Sequence, residues 1–345
     1  MCKILTNERT NERTNGNNYV IDCFRILAVL MVLTVHVRVY LKDVPPAIDK
    51  LFSFGAYGVA LYFIISGFLS YPSIGKSKNF TAYLRKKCAR ILPMYYVSLI
   101  GTFLLGGVIL KEYPLNWRWI YHVFFLNMFV PAKEWMWWNS VNFFWTMPAF
   151  VAWYIVSYLL LKRVNRSVQM TMIALLLSIV TPTIKNTMSV FASQQFVNWN
   201  FFCLLYVFCF GALAYFVLKE KKYISGCIYG ALIGVLGLFF ENRSGFFLFG
   251  LLFYLMIIVF NTVPIRWINE IINKKIKLLS AISYSTYLTH WFVLKLCGSW
   301  LEMQPWIIAY LTFIVIAGGF GYFCYRFIEK PSSNWIISKH TTPRK

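Results

Sequence analysis

The feature that most constrains this chain is a series of long apolar segments separated by short polar ones. A transmembrane helix needs about 20 mostly apolar residues. Segments near that length lie at 20–41, 53–71, 91–110, 143–161, 167–184, 199–218, 223–240, 246–262, 279–299 and 306–325. Only 13% of the 345 residues are charged, against about 25% in a soluble domain. The sequence therefore predicts an all-α polytopic protein with about ten transmembrane helices in the cytoplasmic membrane.

The basic residues predict the orientation of these helices. Lys and Arg number 34 against 12 Asp and Glu, and in a soluble protein such an excess would suggest nucleic acid. Here the apolar segments favour membrane lipid as the partner, and no nucleic acid is expected. With ten spans, 24 basic residues fall in inner segments and 7 in outer ones if both termini are cytoplasmic, as the positive-inside rule requires. An eleventh span at 117–130 would place the later basic loops outside, so 111–142 is assigned as an outer or re-entrant segment.

The chain divides into one membrane domain and two short tails. Residues 1–18 contain the polar repeat TNERTNERT, which cannot form a core, so a disordered N-terminal tail is expected. Residues 19–332 form the predicted membrane domain, and 333–345 a short basic C-terminal tail. The eight cysteines include no C-x-x-C pair, so we expect neither a structural metal site nor a disulfide framework. The oligomeric state is left open.

Ionisable residues inside a predicted span are candidates for function, because a polar group in hydrocarbon is costly. Arg25 and His36 are 11 residues apart in the first span, which places them on one helix face about 16 Å apart along the axis. A long anionic donor could bind at Arg25 and place its reactive end at His36. Equally, Arg25, which is close to Asp22, could extend to the lipid headgroups, and His36 could be a structural histidine that forms hydrogen bonds between helices. His290 is a second intramembrane histidine with the same two interpretations.

Two further features allow both a structural and a functional interpretation. The basic stretch from Arg85 to Arg90 could anchor the topology or bind phosphate, for which the arginine fork is suited. The outer segment is rich in tryptophan, from Trp117 to Trp145. This favours an aromatic belt at the membrane interface, and the alternative is a platform for stacking a sugar.

Five motifs in order resemble the integral-membrane acyltransferase 3 family, whose members include bacterial O-acetyltransferases of surface polysaccharides. They cover nearly the whole chain and are Asp22 to His36 (Arg-x10-His), Gly58 to Leu69 (FFxxSGF), Arg85 to Tyr96 (RxxRIxPxY), Ser283 to His290 (SYxxYLxH) and Phe327 to Pro331 (xExP). The resemblance implies an O-acyltransferase that moves an acyl group, acetyl above all, from cytoplasmic acyl-CoA to a hydroxyl. The implied acceptor is a cell-surface polysaccharide or a lipid-linked sugar. Acyl-CoA would be a substrate, and no permanently bound cofactor is expected.

The resemblance also assigns residues to roles. His36 would act as the general base or as a transient acyl carrier, since a hydroxyl needs activation at neutral pH and histidine has a suitable pKa. Arg25 would bind donor phosphate or stabilise developing negative charge. Donor phosphates would be held by Arg85 and Arg90. The residues expected along the substrate path are Ser66, Tyr284 and His290.

One position departs from the family pattern. Many members carry a glutamate after Trp-Ser/Thr-Leu at the outer start of the fourth span, and here Phe150 stands in its place. The acyl and acceptor specificity of other members therefore does not carry over. A membrane glycosyltransferase with a polyprenyl-linked donor remains an alternative and would use acidic residues such as Asp43 and Asp49. A transporter or a non-catalytic membrane protein is the other alternative.

Overall fold

The computed structural model describes residues 19–112, 117, 119–126, 142–192, 194–262 and 270–338. These residues form helices and no strands, as predicted. The α-helices are α1 (Tyr19–Val37), α2 (Pro46–Ser53), α3 (Gly58–Gly75), α4 (Phe80–Thr102), α5 (Trp119–Val123), α6 (Thr146–Leu161), α7 (Ser167–Ser189), α8 (Gln194–Trp199), α9 (Phe201–Glu220), α10 (Tyr223–Phe239), α11 (Gly245–Thr262), α12 (Glu270–Leu301), α13 (Trp306–Cys324) and α14 (Lys330–Ser338).

Each of the ten predicted spans coincides with a helix. Six described helical stretches are long and apolar enough to cross a membrane: Tyr19–Tyr40, Pro46–Gly75, Phe80–Ile109, Ser167–Ser189, Gly245–Thr262 and Trp306–Ser338. The helices α6 and α10 are apolar but shorter, with 16 and 17 residues. The chain is therefore a multi-pass helical protein, while the count of ten spans and the orientation of the termini stay predictions.

The segment predicted to be outer or re-entrant contains little described helix. Between residues 113 and 141 the structure describes only the five-residue helix α5 and its immediate neighbours. Five residues rise about 7.5 Å, a fraction of the hydrocarbon thickness. The predicted N-terminal tail, residues 1–18, lies outside the described residues. At the other end α14 continues to Ser338, so a helix occupies the first part of the segment predicted as the C-terminal tail.

Helix α9 forms the centre of the bundle. It is apolar on every face, and such a helix is stable only when surrounded by other helices or lipid; most of its residues are buried. It crosses α3 closely, because glycines occupy both sides of the crossing. A Cβ atom at Gly67 would collide with the carbonyl oxygen of Phe208, and one at Gly211 would collide with the carbonyl oxygen of Ile64. Close backbone approach through small residues is typical of helix packing in membranes.

The helices that carry the candidate residues pack around α12. Helix α12 is 32 residues long and lies against α1, α4 and α13. Helix α4 begins at Asn79, whose side chain accepts a hydrogen bond from the backbone N–H of Ala82 (2.9 Å). This N-cap satisfies one of the free donors at a helix start. The basic stretch 85–90 consequently lies within the first half of α4, a helix that packs against α12.

Candidate functional site

Arg25 and His36 both face α12, as their spacing predicts. Arg25 Nη1 lies 3.4 Å from the hydroxyl of Ser280, and the ring of His36 lies 4.9 Å from the ring of His290, measured between centroids. The two contacts are 11 residues apart on α1 and 10 apart on α12. The two helices therefore run in the same direction here, and the site extends along the contact between them for about 16 Å.

The charge of Arg25 is partly balanced within the same turn of helix. Its Nη1 lies 3.3 Å from Asp22 Oδ1, and the Ser280 hydroxyl donates a hydrogen bond of 2.7 Å to that same oxygen. Asp22 and Ser280 thus hold the guanidinium against α12. Because both side chains of the ion pair are mostly buried, Arg25 does not extend freely to lipid headgroups. Its position fits a role inside the bundle better than the alternative of lipid anchoring.

Two cations of α4 join Arg25 in a basic group, which we define as Arg25, Lys87 and Arg90. The positive charges of these three residues repel one another. The ammonium of Lys87 also lies over the rings of Tyr83 and Tyr154, 5.5 and 5.3 Å from their centroids. Mutual repulsion between like charges at the end of a bundle is compensated when an anion binds between them.

Helix geometry separates the two arginines that the sequence analysis paired. Arg85 and Arg90 are five residues apart, which is about 140° around an α-helix, whereas Lys87 and Arg90 are about 60° apart. Arg90 therefore joins Arg25, and Lys87 rather than Arg85 accompanies it. The i, i+3 spacing of Lys87 and Arg90 was visible in the sequence, but the greater suitability of arginine for phosphate favoured Arg85.

A buried carboxylate also approaches the basic group. Glu329 is 4% exposed and accepts a hydrogen bond of 2.5 Å from the Ser285 hydroxyl. Its charge interacts favourably with that of Arg90. It lies in a π-helical turn, Tyr325–Glu329, a local irregularity frequent at functional sites. Glu329 stands in the motif from Phe327 to Pro331, for which the sequence predicts no role.

The two histidines at the other end of the site differ in exposure. His36 is exposed, whereas His290 is 1% exposed. The Nδ1 atom of His290 makes a short contact with the carbonyl oxygen of Tyr287. Because a carbonyl oxygen can only accept, this contact is a hydrogen bond in the tautomer that is protonated at Nδ1. The hydroxyl of Tyr287 in turn shares a hydrogen bond of 2.9 Å with Thr146.

The remaining predicted path residues lie between the two ends. The hydroxyls of Ser66 and Tyr154 face each other without the geometry of a full hydrogen bond, and Ser66 Oγ is buried. Tyr284 donates a hydrogen bond of 2.7 Å to the carbonyl oxygen of Ile91, which ties α12 to α4. Tyr284 thus has an evident structural task, while Ser66 presents a buried hydroxyl without a full hydrogen bond. Their roles on a substrate path stay predictions.

One of the two carboxylates considered for a glycosyltransferase is engaged in an ion pair. The guanidinium of Arg38 binds both carboxylate oxygens of Asp49, whereas the same is not seen for Asp43 within the described part of the chain. Arg38 accordingly has a structural task close to His36 in sequence.

The tryptophan-rich segment is described only in part. Trp145 stacks on Trp199 at 5.3 Å with an angle of 12° between the planes, and Trp145 itself is buried. The tryptophans at 135, 137 and 138 lie outside the described residues.

Within the described ranges no group of three His, Cys, Asp or Glu side chains is placed to hold a metal ion.

Phe150, at the position of the family glutamate, belongs to an aromatic cluster. Its ring meets the rings of Phe63 and Phe208 edge to face at 5.1 and 6.1 Å. Phe63 and Phe208 stack on each other at 4.5 Å. The cluster surrounds position 150 with hydrocarbon, and the contacts there are those of a packed core rather than those of a carboxylate site.

Comparison with known proteins decides the family. The model of an acyltransferase domain, acyltransferase 3, matches residues 18–333. The chain belongs to the acyltransferase 3 family. This confirms the resemblance carried by the five motifs, and the matched range includes every predicted site residue.

Two named relatives are similar to part of the chain. "Nodulation protein 10" of Rhizobium leguminosarum bv. viciae is 33% identical over 108 residues, which cover 29% of this chain and 29% of that protein. "O-acetyl transferase" of Shigella phage Sf6 is 30% identical over 96 residues, which cover 28% of this chain and 29% of that protein. The similarity thus spans under a third of each relative. No solved structure matches the chain.

Proposed function

We propose that this member of the acyltransferase 3 family is a membrane-embedded O-acyltransferase of the cytoplasmic membrane. It would move an acyl group, in the simplest case acetyl, from cytoplasmic acyl-CoA to a hydroxyl of a cell-envelope glycan or of a lipid-linked sugar. Membership of the family supports the reaction class, and the relative named O-acetyl transferase supports the acetyl group. The observation that carries the proposal is the alignment of a basic group and a histidine pair along one helix contact.

The basic group suits the polyanionic part of acyl-CoA. Arg25, Lys87 and Arg90 converge from α1 and α4, and their repulsion makes binding of a phosphate favourable. With its phosphates held there, a donor extended along α1 would present its thioester near His36. The distance of about 16 Å separates the charged and the reacting parts, so the phosphates need not enter the hydrocarbon layer.

His36 suits the chemistry of acyl transfer to a hydroxyl. The acceptor oxygen attacks the thioester carbonyl carbon, a C–O bond forms, and the C–S bond breaks. One ring nitrogen of His36 takes the hydroxyl proton and passes it to the departing thiolate of CoA, so that atoms and charges balance. General-base catalysis of this kind contributes roughly 10²–10⁴-fold to the rate.

The test is transfer of label from radioactive acetyl-CoA to cell-envelope glycan by the purified protein. The His36→Asn variant keeps a hydrogen-bonding side chain but cannot act as a base at neutral pH, so we expect it to lose about 10²–10⁴-fold in rate. Arg38→Ala, two residues away in the chain and paired with Asp49, is the matched control and should keep most activity. Transfer at the wild-type rate by His36→Asn would contradict the catalytic assignment.

A second measurement separates the two mechanisms and the acyl specificity. Incubation with labelled acetyl-CoA in the absence of acceptor should leave no label on the protein if His36 is a general base. Covalent label that is lost in His36→Asn would instead demonstrate an acyl-histidine. Repeating the transfer with butyryl-CoA and palmitoyl-CoA, at equal concentration, identifies the acyl length that the site accepts.

A further inference from the structure

A layer of hydroxyl groups lies between α3, α4 and α6, and two of its contacts are complete hydrogen bonds. The hydroxyl of Tyr83 shares a hydrogen bond of 2.9 Å with Ser157. The indole N–H of Trp153 donates to Ser70 Oγ, also at 2.9 Å. Pairing of this kind is the expected state of a buried hydroxyl, because an unpaired one loses its hydration without compensation.

Ser66 and Tyr154 belong to the same layer but are not paired in this way. Ser66 Oγ is buried and has no hydrogen-bond partner among the described residues. The local alternative is donation to the carbonyl oxygen four residues earlier, and Ser70 uses it by donating to the carbonyl oxygen of Ser66 at 2.7 Å. Tyr154 is 7% exposed, and its hydroxyl faces Ser66 without the geometry of a full hydrogen bond. Two buried hydroxyls left open side by side call for a functional explanation.

Tyr154 also lies against the three cations of the basic group. The ammonium of Lys87 lies 5.3 Å from the centroid of its ring, and the charges of Arg25 and Arg90 act on its hydroxyl. A phenol has one proton to donate. A phosphate oxygen bound among these cations is a charged acceptor beside that proton, and hydrogen bonds to charged acceptors are the strong ones.

The neighbouring phenol, Tyr62, has a different task. Arg25 and Arg90 act on its hydroxyl as well, but this hydroxyl donates a long hydrogen bond of 3.4 Å to the carbonyl oxygen of Ser283. The bond connects α3 with α12, so the proton of Tyr62 is committed to helix packing. The proton of Tyr154 has no such task.

We propose that Tyr154 is a phosphate-binding residue of the donor site and that Ser66 positions it, an inference that rests on the proposed use of acyl-CoA. The hydroxyl of Tyr154 donates to a phosphate oxygen that the basic group holds. The hydroxyl of Ser66 donates to the phenol oxygen of Tyr154, which accepts one hydrogen bond while it donates another. One bound anion thus completes both hydroxyls and offsets the repulsion among the cations.

The first test compares two tyrosines that lie under the same ammonium. Tyr154→Phe and Tyr83→Phe each remove one hydroxyl and keep the ring beside Lys87. In calorimetry with CoA, which carries the phosphates but no acyl group, Tyr154→Phe should raise Kd about 10- to 100-fold, the effect of one lost hydrogen bond to a charged group. Tyr83→Phe should change Kd by less than about twofold, since its hydroxyl serves Ser157. An unchanged Kd in Tyr154→Phe, or equal losses in the two variants, would overturn the proposal.

The second test asks whether Ser66 acts through Tyr154. Ser66→Ala should raise Kd for CoA about 3- to 10-fold in the wild-type background. In the Tyr154→Phe background the same substitution should change Kd by less than about twofold, because a positioning effect disappears with the residue it positions. The same factor in both backgrounds would show an independent role and overturn the positioning by Ser66.

The third test identifies the source of the phosphate, since lipid headgroups carry phosphate too. Inorganic pyrophosphate should raise the Tm of the wild-type protein more than that of Tyr154→Phe. Replacing phosphatidylcholine by phosphatidylglycerol in nanodiscs should affect both proteins equally. The reverse pattern would assign a lipid headgroup to Tyr154 and overturn the proposal.

Failure of this inference differs from failure of the proposed reaction. If the purified protein transfers label from acetyl-CoA while Tyr154→Phe binds CoA as tightly as wild type, only the role of Tyr154 is wrong. If CoA binding depends on Tyr154 as expected but no acyl group is transferred, the site stands and the proposed reaction alone is refuted.

Discussion

Removal of the Lys87 charge should weaken donor binding, while removal of the Arg85 charge should not. Lys87 belongs to the basic group with Arg25 and Arg90, and Arg85 points about 140° away from Arg90 around the helix. Lys87→Gln and Arg85→Gln form a matched pair, since each removes one positive charge from the same half of α4. Their total charge and their effect on membrane orientation are the same.

The size of the effect follows from the contacts of the ammonium. A hydrogen bond to a charged group contributes about 1.5–3 kcal/mol, and 1.4 kcal/mol corresponds to a factor of ten. Loss of one Lys87 contact to a donor phosphate should therefore raise Kd for acyl-CoA about 10- to 100-fold. Repulsion among the three cations is relieved in the variant, which should stabilise the unliganded protein and leave folding intact.

Binding of acetyl-CoA to purified protein in detergent, followed by calorimetry, measures this difference. Arg85→Gln should change Kd by less than about twofold, and Arg90→Lys should weaken binding because a bidentate fork is lost. The salt dependence should be steeper in wild type than in Lys87→Gln, since screening acts on each charge. If Arg85→Gln loses as much affinity as Lys87→Gln, the basic group is not the donor site.

Three further predictions concern topology and packing. In intact cells Cys88 should be shielded from a membrane-impermeant thiol reagent and should react only after permeabilisation. A cysteine introduced by Asp43→Cys should react from outside. Labelling of Cys88 from outside would refute the predicted orientation. Gly67→Ala should lower the free energy of unfolding by roughly 1–3 kcal/mol, because the added Cβ would collide with the backbone of the neighbouring helix. Gly75→Ala on the same helix is the control: its Cβ would meet open space, so thermal unfolding should be unchanged. Phe150→Glu should reduce Tm and yield, since it buries an unpaired carboxylate among aromatic rings, and Phe150→Leu should be tolerated; a stable, more active Phe150→Glu would show that the family glutamate still has a place here.

The helices could be predicted from the sequence because the length of an apolar segment can be counted along the chain. Each predicted span coincides with a helix, and the face shared by Arg25 and His36 follows from the period of the α-helix alone. Both statements need no knowledge of neighbouring helices. The crossing of α3 and α9 could not be predicted in this way, because Gly67 and Gly211 are 144 positions apart and only the folded chain brings them together.

The site was harder to predict wherever a choice depended on a partner from another helix. Arg85 was preferred to Lys87 on chemical grounds, yet the direction of α1 relative to α4 decides which side chain meets Arg25. Tyr284 was assigned to a substrate path, and its hydroxyl proves to tie α12 to α4 through Ile91. Glu329 stands in a sequence motif, but only the folded chain shows that it lies in a π-helical turn and interacts with Arg90.

In the proposed reaction, the distribution of charge along the site would allow one helix contact to serve both substrates. Cations are concentrated around Arg25, and the other end carries the adjacent rings of His36 and His290, of which His36 must be neutral to act as the proposed base. A donor whose phosphates stay at the cationic end can deliver its uncharged thioester to His36 without carrying charge through hydrocarbon, which would cost many kcal/mol. Because His36 is exposed at the end of α1 remote from Arg25, the acceptor can approach from the opposite side. The proposed transfer then needs a donor long enough to span about 16 Å, roughly half of the hydrocarbon thickness.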